Sequence, residues 1–230
     1  MVDYNLTKYL EQFVTEKRRN LFLKVLSERT KHFTVAIEDI YQPHNASAVV
    51  RSCDVFGIQD IYVIENKYKF YASNYVAKGA QKWLDFHYYR AQGENNTKTC
   101  MKDLRSKEYQ IIATTPHNES CYIEDFDISK KSAFFFGVEK EGLSKDVMDN
   151  ADGYLKIPMV GFTESLNISV AAAIILQRFN EKLKSSNVHW QFTDIEKDEK
   201  YLEWLEISIK SIDKIKEHYY KEILKSKSTK

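Results

Sequence analysis

Residues 133–179, AFFFGVEKEGLSKDVMDNADGYLKIPMVGFTESLNISVAAAIILQRF, constrain this chain more than any other stretch. The sequence has seven glycines, and four of them (Gly137, Gly142, Gly153 and Gly161) fall here. An apolar strand-like run at 133–136 ends in Gly137, and a second run at 154–158 leads into another glycine-containing loop. Residues 165–179 then read as a helix so apolar that burial on nearly every side is expected. A glycine at the carboxyl end of a buried strand lets a ligand approach the backbone, and in open α/β sheets ligands bind at such ends. Two of them in succession, followed by a helix start, predict a ligand cradle made mostly of main chain.

The rest of the chain supplies the sheet. Residues 6–29 read as one amphipathic helix with Leu10, Phe13, Leu21, Leu23 and Leu26 inward. Residues 33–37 read as a strand. Pro43 bars helix just before it, Asn45 can cap a helix running to Phe56, Gly57 stops that helix, and 60–64 returns as a strand. That is a β–α–β unit and predicts parallel pairing. Arg51 lies among Ala48, Val49, Val50, Cys53 and Val55, so a buried guanidinium in need of a partner is expected. Further strands are expected at 84–89 and 110–115, with a polar helix at 94–107 and an acidic connector at 119–130. After the glycine-rich stretch come a linker at 185–200 and a final helix at 199–227. One α/β domain over 31–184 is thus expected, between a helical arm at 1–30 and a linker with a helix at 185–230.

Composition narrows the function classes. Lys plus Arg number 34 against 33 Asp plus Glu, so any basic surface for nucleic acid must be local. The first 31 residues hold seven basic residues against four acids, with Lys17, Arg18 and Arg19 in a cluster; on charge pattern alone this can equally be a solvated helix face. Three scattered cysteines give neither a disulfide framework nor metal-ligand spacing, so no metal is expected. The longest uncharged apolar run, 166–176, is too short to span a bilayer, and the start of the chain lacks a basic-then-apolar leader. A cytoplasmic protein without a membrane partner is expected.

Three stretches carry a resemblance: HNASAVVRSCDVFG at 44–57, FFGVEKEGLSKDV…NAD at 135–152, and LKIPMVGFTESLNISVAAA at 155–173. In this order and register they resemble the motifs of the SpoU branch of the SPOUT superfamily of RNA 2′-O-methyltransferases. The intervening KGAQKWL at 78–84 and the short arms look most like its TrmH group, which acts on a guanosine in the D-loop of transfer RNA.

The resemblance implies a mostly parallel sheet flanked by helices, a deep carboxyl-terminal trefoil knot at about 133–180, S-adenosylmethionine as cofactor, tRNA as substrate and a homodimer. It places the cofactor against Thr114, Gly137, Gly142, Ile157, Met159, Ser165, Leu166 and Asn167. Ser165 and Asn167, as polar groups entering an apolar helix, are also expected to be buried and to need partners. The reacting role falls to Arg51, either as a base or as a fixed cation that stabilises a developing alkoxide. Asn45 is implied to hold Arg51 or the partner subunit, with a plain helix cap as the bland reading; Glu139 is implied as a counter-charge, with a solvated loop acid as its alternative. RNA contacts are implied at Lys17, Arg18, Arg19, His44, Lys78 and Arg178. Methylation of ribosomal RNA or of a wobble nucleotide, and a non-catalytic RNA-binding role, stand as alternatives. The absence of G-x-G-x-x-G after the first strand argues against a generic dinucleotide-binding protein.

Overall fold

The computed structural model describes residues 2–73, 77–116, 120–138 and 141–228. Thr30–Trp190 forms one compact unit, and Met1–Arg29 with Gln191–Lys230 forms another.

Among the described residues, the larger unit holds a sheet of seven strands: β1 (Phe33–Glu38), β2 (Asp60–Ile64), β3 (Asp85–Tyr89), β4 (Gln110–Thr114), β5 (Cys121–Tyr122), β6 (Ser132–Phe136) and β7 (Gly153–Lys156). Their order is β3-β2-β1-β6-β4-β7-β5. Every pairing is parallel, with Val35 opposite Ile61 on one side of β1 and Phe134 on the other. β1, β2 and β6 are buried along their whole length, as expected for near-continuous apolar runs in a sheet covered on both faces.

Period-two alternation sorts the side chains. Phe33, Val35, Ile37, Phe134 and Phe136 point into one core with α3 (Pro43–Val55) and α6 (Ile168–Lys184). Ala36, Ala133 and Phe135 point into the other, with α4 (Asn96–Ser106) and α5 (Lys145–Asn150). Truncating one of these fully buried phenylalanines to alanine should cost about 3–5 kcal/mol. Because all the strands run the same way, their carboxyl ends share one edge, and the glycine-rich loops leave from it.

The smaller unit contains α1 (Tyr4–Glu11), α2 (Glu16–Leu26), α7 (Asp194–Ser208) and α8 (Ile212–Ser228). Its seam is aromatic: Phe22 meets Trp204 at 5.7 Å and Tyr9 meets Tyr219 at 4.9 Å. The hydroxyl of Tyr201 donates to Glu11 and that of Tyr4 to Asp198.

Several expected boundaries shift for local reasons. The single helix at 6–29 is two helices, because Thr15 turns out of α1 and caps α2. Phe22 takes the inward place, and Phe13, Leu21 and Leu23 are exposed. The final helix is also two, divided around Ser211, which sits at φ 54. The linker is shorter than expected, since Thr193 and Glu196 form a capping box that starts α7 at Asp194. The connector carries the short edge strand β5.

Candidate functional site

A cleft of about 310 Å3 opens at the carboxyl ends of β4, β6 and β7. Thr114, Gly137, Gly142, Ile157, Met159, Ser165 and Leu166 all line it. The cleft also takes in Thr115, Val138, Glu164, Ile168 and Ala171, none of which carries a sequence signal of its own.

Its floor depends on Gly137. A Cβ there would stand 2.2 Å from the carbonyl oxygen of Gly142 and 2.5 Å from the nitrogen of Leu143. Backbone therefore packs on backbone, and no side chain fits. The nitrogen of Gly142 donates to the Val138 carbonyl at 2.8 Å, and Gly142 itself sits at φ 70, the left-handed region that suits glycine. Across the cleft, the Thr114 hydroxyl donates to the Phe135 carbonyl at 2.7 Å and the Thr115 nitrogen to the Leu155 carbonyl at 3.0 Å.

The loop after β6 is anchored from below by Glu38, a carboxylate only 2% exposed at the end of β1. Glu38 accepts from the Ser144 nitrogen (2.8 Å), the Ser144 hydroxyl (2.7 Å) and the Thr97 hydroxyl (2.6 Å). A buried carboxylate needs such partners. An acid closing the apolar run FTVAIE was the signal that could have found it. Burial, reinforced by the charges of Asp103 and Glu38, pushes the nearby Cys100 thiol up, so it stays protonated and inert.

Asn45 and Asn167 meet: Asn167 Nδ2 donates to Asn45 Oδ1 at 3.1 Å. Asn167 is the N-cap of α6, its Oδ1 accepting from the Ser169 nitrogen at 2.9 Å. Asn45 is not a cap. Pro43 opens α3 directly after Gln42, the N-cap residue, so Asn45 lies within the first turn, where its amide donates to Gln42 Oε1 at 2.7 Å. The two outer motifs are thus tied at adjacent helix starts. Asn167 does not line the cleft, and neither it nor Ser165 is buried, so the demand for buried partners does not apply to them.

Arg51 corrects the sequence reading more sharply. Its neighbours Val49, Val50 and Cys53 are buried, but the helical period turns Arg51 outward, and its side chain is exposed. It does not line the cleft of its own chain. Glu139 lies outside the described residues. The helix expected at 165–179 starts at Ile168 and leaves Val170 and Ile174 exposed, so it is not buried all round; residues 157–167 form neither helix nor strand, and Ile157, Met159, Glu164, Ser165 and Leu166 among them line the cleft.

His44, Lys78 and Arg178 are exposed on the larger unit, with Arg178 4.0 Å from Glu181. Lys17, Arg18 and Arg19 lie on α2 of the smaller unit, where Arg18 covers the Phe22 ring at 5.4 Å and Arg19 reaches Glu11 at 3.9 Å. Among the described residues, no group of side chains could hold a metal ion, and no helix is long and apolar enough to cross a membrane.

Residues 32–177 match the family model described as the SpoU rRNA Methylase family. A tRNA (guanosine(18)-2′-O)-methyltransferase of Borreliella burgdorferi is 37% identical over 202 residues, covering 88% of this chain and 90% of the relative. The enzyme of the same name from Thermus thermophilus is 34% identical over 162 residues, covering 70% of this chain and 81% of the relative. Among solved structures, the TrmH/SpoU tRNA modifying enzyme of A. aeolicus superposes with a TM-score of 0.74 at 28% identity, covering 85% of this chain and 98% of that one. The SpoU methyltransferase AviRb of Streptomyces viridochromogenes, solved in complex with AdoMet, shares the fold with a TM-score of 0.59 at 24% identity, over 71% of this chain and 65% of that one. With its motifs gathered along one sheet edge and these matches spanning most of its length, the chain belongs to the SpoU methylase family.

Proposed function

We propose that the chain transfers a methyl group from S-adenosylmethionine to the ribose 2′-hydroxyl of a D-loop guanosine in tRNA, as a homodimer in the cytoplasm. The observation that carries this reading is the cleft built from main chain, where the backbone at Gly137 lies against that of Gly142 and leaves no room for a side chain. Such a surface suits a ligand gripped through amides and carbonyls. Thr114, Gly137, Ile157, Met159 and Leu166 would hold the cofactor there, with Gly142 and Ser165 at its margins. The names of the relatives, at 37% and 34% identity, favour tRNA over ribosomal RNA as substrate. The strand order supports a trefoil knot: β6 enters between β1 and β4, β7 lies beyond β4, and α6 returns to pack on α3.

Bound in the cleft, S-adenosylmethionine supplies a methyl carbon attached to a good thioether leaving group. The protein's task is to align a ribose oxygen with that carbon and ease the loss of the hydroxyl proton. Arg51 is the residue for the oxygen. A guanidinium stays charged in a protein, so it acts as a fixed cation that orients the ribose and its phosphate and stabilises the developing negative charge, while the proton leaves to solvent.

Arg51 is exposed and off its own chain's cleft, so the reading has a second copy supply it. Val170 and Ile174 on α6 and the wholly exposed Val160 and Phe162 support a subunit seam beside the cleft. Lys17, Arg18, Arg19, His44, Lys78 and Arg178 would meet RNA phosphates.

Mass spectrometry of tRNA incubated with the protein and S-adenosylmethionine should find one added ribose methyl on a D-loop guanosine. Incorporation into no tRNA at all overturns the reading.

A further inference from the structure

A second hollow of about 250 Å3 adjoins the first at the carboxyl end of β1 and shares Val138, Glu141, Gly142 and Leu143 with it. Tyr68 lies in its wall. The Tyr68 ring sits 5.3 Å from that of Tyr41, and the two rings are 40% and 48% exposed. Two large aromatic rings held together in solvent form an unusual surface. Here the backbone beneath them is fixed.

Asp39, itself at φ 54, accepts on one carboxylate oxygen from the nitrogens of Asn66 (2.8 Å), Lys67 (2.7 Å) and Tyr68 (3.2 Å). Phe70 pins the segment to β3, its ring 6.2 Å from Phe86 and 6.5 Å from Tyr88. The Ser73 nitrogen donates to the Ser47 hydroxyl on α3 at 2.7 Å. The segment reads KYKFY, basic and aromatic residues interleaved, with Lys67 and Lys69 exposed. Lys67 also pairs with Glu141 at 3.0 Å, which links this segment to the loop that borders the cleft.

Tyr41 is wired to the same place from the other side. Gln42 Nε2 donates to the Tyr41 hydroxyl at 3.2 Å, Asn45 donates to Gln42, and Asn167 at the start of α6 donates to Asn45. The ring pair is therefore held in register with the helix start beside Ser165 and Leu166.

We propose that Tyr41 and Tyr68 form a stacking platform for an unpaired base of the RNA substrate, next to the nucleotide whose ribose is methylated. Bases out of a helix are held on aromatic faces, and the flanking lysines suit the adjoining phosphates. This inference rests on the RNA-methylation reading above and adds two positioning residues to it.

The test uses the full chain carrying Tyr41→Leu, Tyr68→Leu or both, beside Tyr41→Phe and Tyr68→Phe. Leucine keeps apolar bulk and loses the π face. Each leucine variant should raise the KM and Kd for tRNA on the order of tenfold, from the stacking contribution of one base. kcat and the Kd for S-adenosylmethionine by calorimetry should stay within about twofold, and the phenylalanine variants should match the unsubstituted protein. Unchanged tRNA affinity in the double leucine variant overturns the proposal. So does equal damage in the phenylalanine variants, which would make the hydroxyl relay the cause, and so does dissociation of a dimer on sedimentation, which would make the rings a subunit contact. If the unsubstituted protein methylates no tRNA, the methylation reading fails while the platform is still judged by Kd for a short single-stranded RNA, which the leucine variants should weaken.

Discussion

Two stretches of the same sheet edge hold their parts in opposite ways. At β4, β6 and β7 the cleft is made of backbone: a glycine pressed against another residue's carbonyl, and chain without helix or strand from Ile157 to Asn167. At the end of β1 and the start of α3, side chains do the holding, from Asp39 and Glu38 below to Gln42, Asn45 and Asn167 above. The backbone-built half should tolerate most substitutions that keep its glycines. The side-chain-built half should respond to single atoms.

The largest effect expected tests the side-chain half. Arg51→Ala should lower kcat by about 10²- to 10³-fold, as the loss of one fixed charge-stabilising group does elsewhere. Calorimetry should find its affinity for S-adenosylmethionine near normal, because Arg51 is absent from the cleft wall. Normal turnover would remove Arg51 from the chemistry.

Gly137→Ala probes the backbone half. The added methyl must displace the Gly142 carbonyl or the Leu143 nitrogen, a strain of about 1–3 kcal/mol. Cofactor affinity should fall roughly 10-fold or more, while Met159→Leu, at an exposed residue of the wall, should bind nearly as the parent does. Equal losses in both would erase the contrast.

A smaller effect comes from the asparagine pair. Asn167→Ala removes the cap of α6 and should cost about 1 kcal/mol in urea unfolding. Combined with Asn45→Ala in a double-mutant cycle, a coupling of about 0.5 kcal/mol or more is expected. Strict additivity would mean that the two helix starts are not linked through these amides.

The smallest effect lies at the far edge of the sheet. Burial lowers the His32 pKa below its ordinary value, Lys131 adds to this, and the Ile128 carbonyl opposes it. With a folded value below the unfolded one, the unfolded chain binds more protons in that window. Stability is full above the ordinary histidine pKa and declines as pH falls from there through the folded value. His32→Gln, which can still donate to the Ile128 carbonyl, should flatten the fall of Tm between about pH 7 and pH 5. An unaltered slope would mean that His32 does not titrate there.

How legible each half was in the sequence follows from how each is built. β2 was readable to the residue, because apolar β-branched runs bounded by glycine and polar residues announce a buried strand. The cleft was readable through glycines and strand ends, which are local. Arg51 misled because its sequence neighbours are buried, whereas burial on a helix follows the face and not the neighbour. The start of α6 misled because an apolar run looks helical from Ser165, while Asn167 delays the helix by capping it at Ile168. Asp39 and the Tyr41–Tyr68 pair were invisible because their partners are 27 to 29 residues away, and Glu38 showed only as an acid ending an apolar run, its partner Ser144 lying 106 residues on.

The position of β1 between β2 and β6 bears on how the chain is made. On a ribosome β1 emerges early and finds β2 within about thirty residues, but its other flank waits for Ser132–Phe136. Until then FTVAIE presents an open, apolar row of amides and carbonyls, the kind of edge to which a second nascent chain adheres. Folding of this protein should therefore be slow and concentration-sensitive at that stage, and refolding yields should rise when the chains are kept dilute.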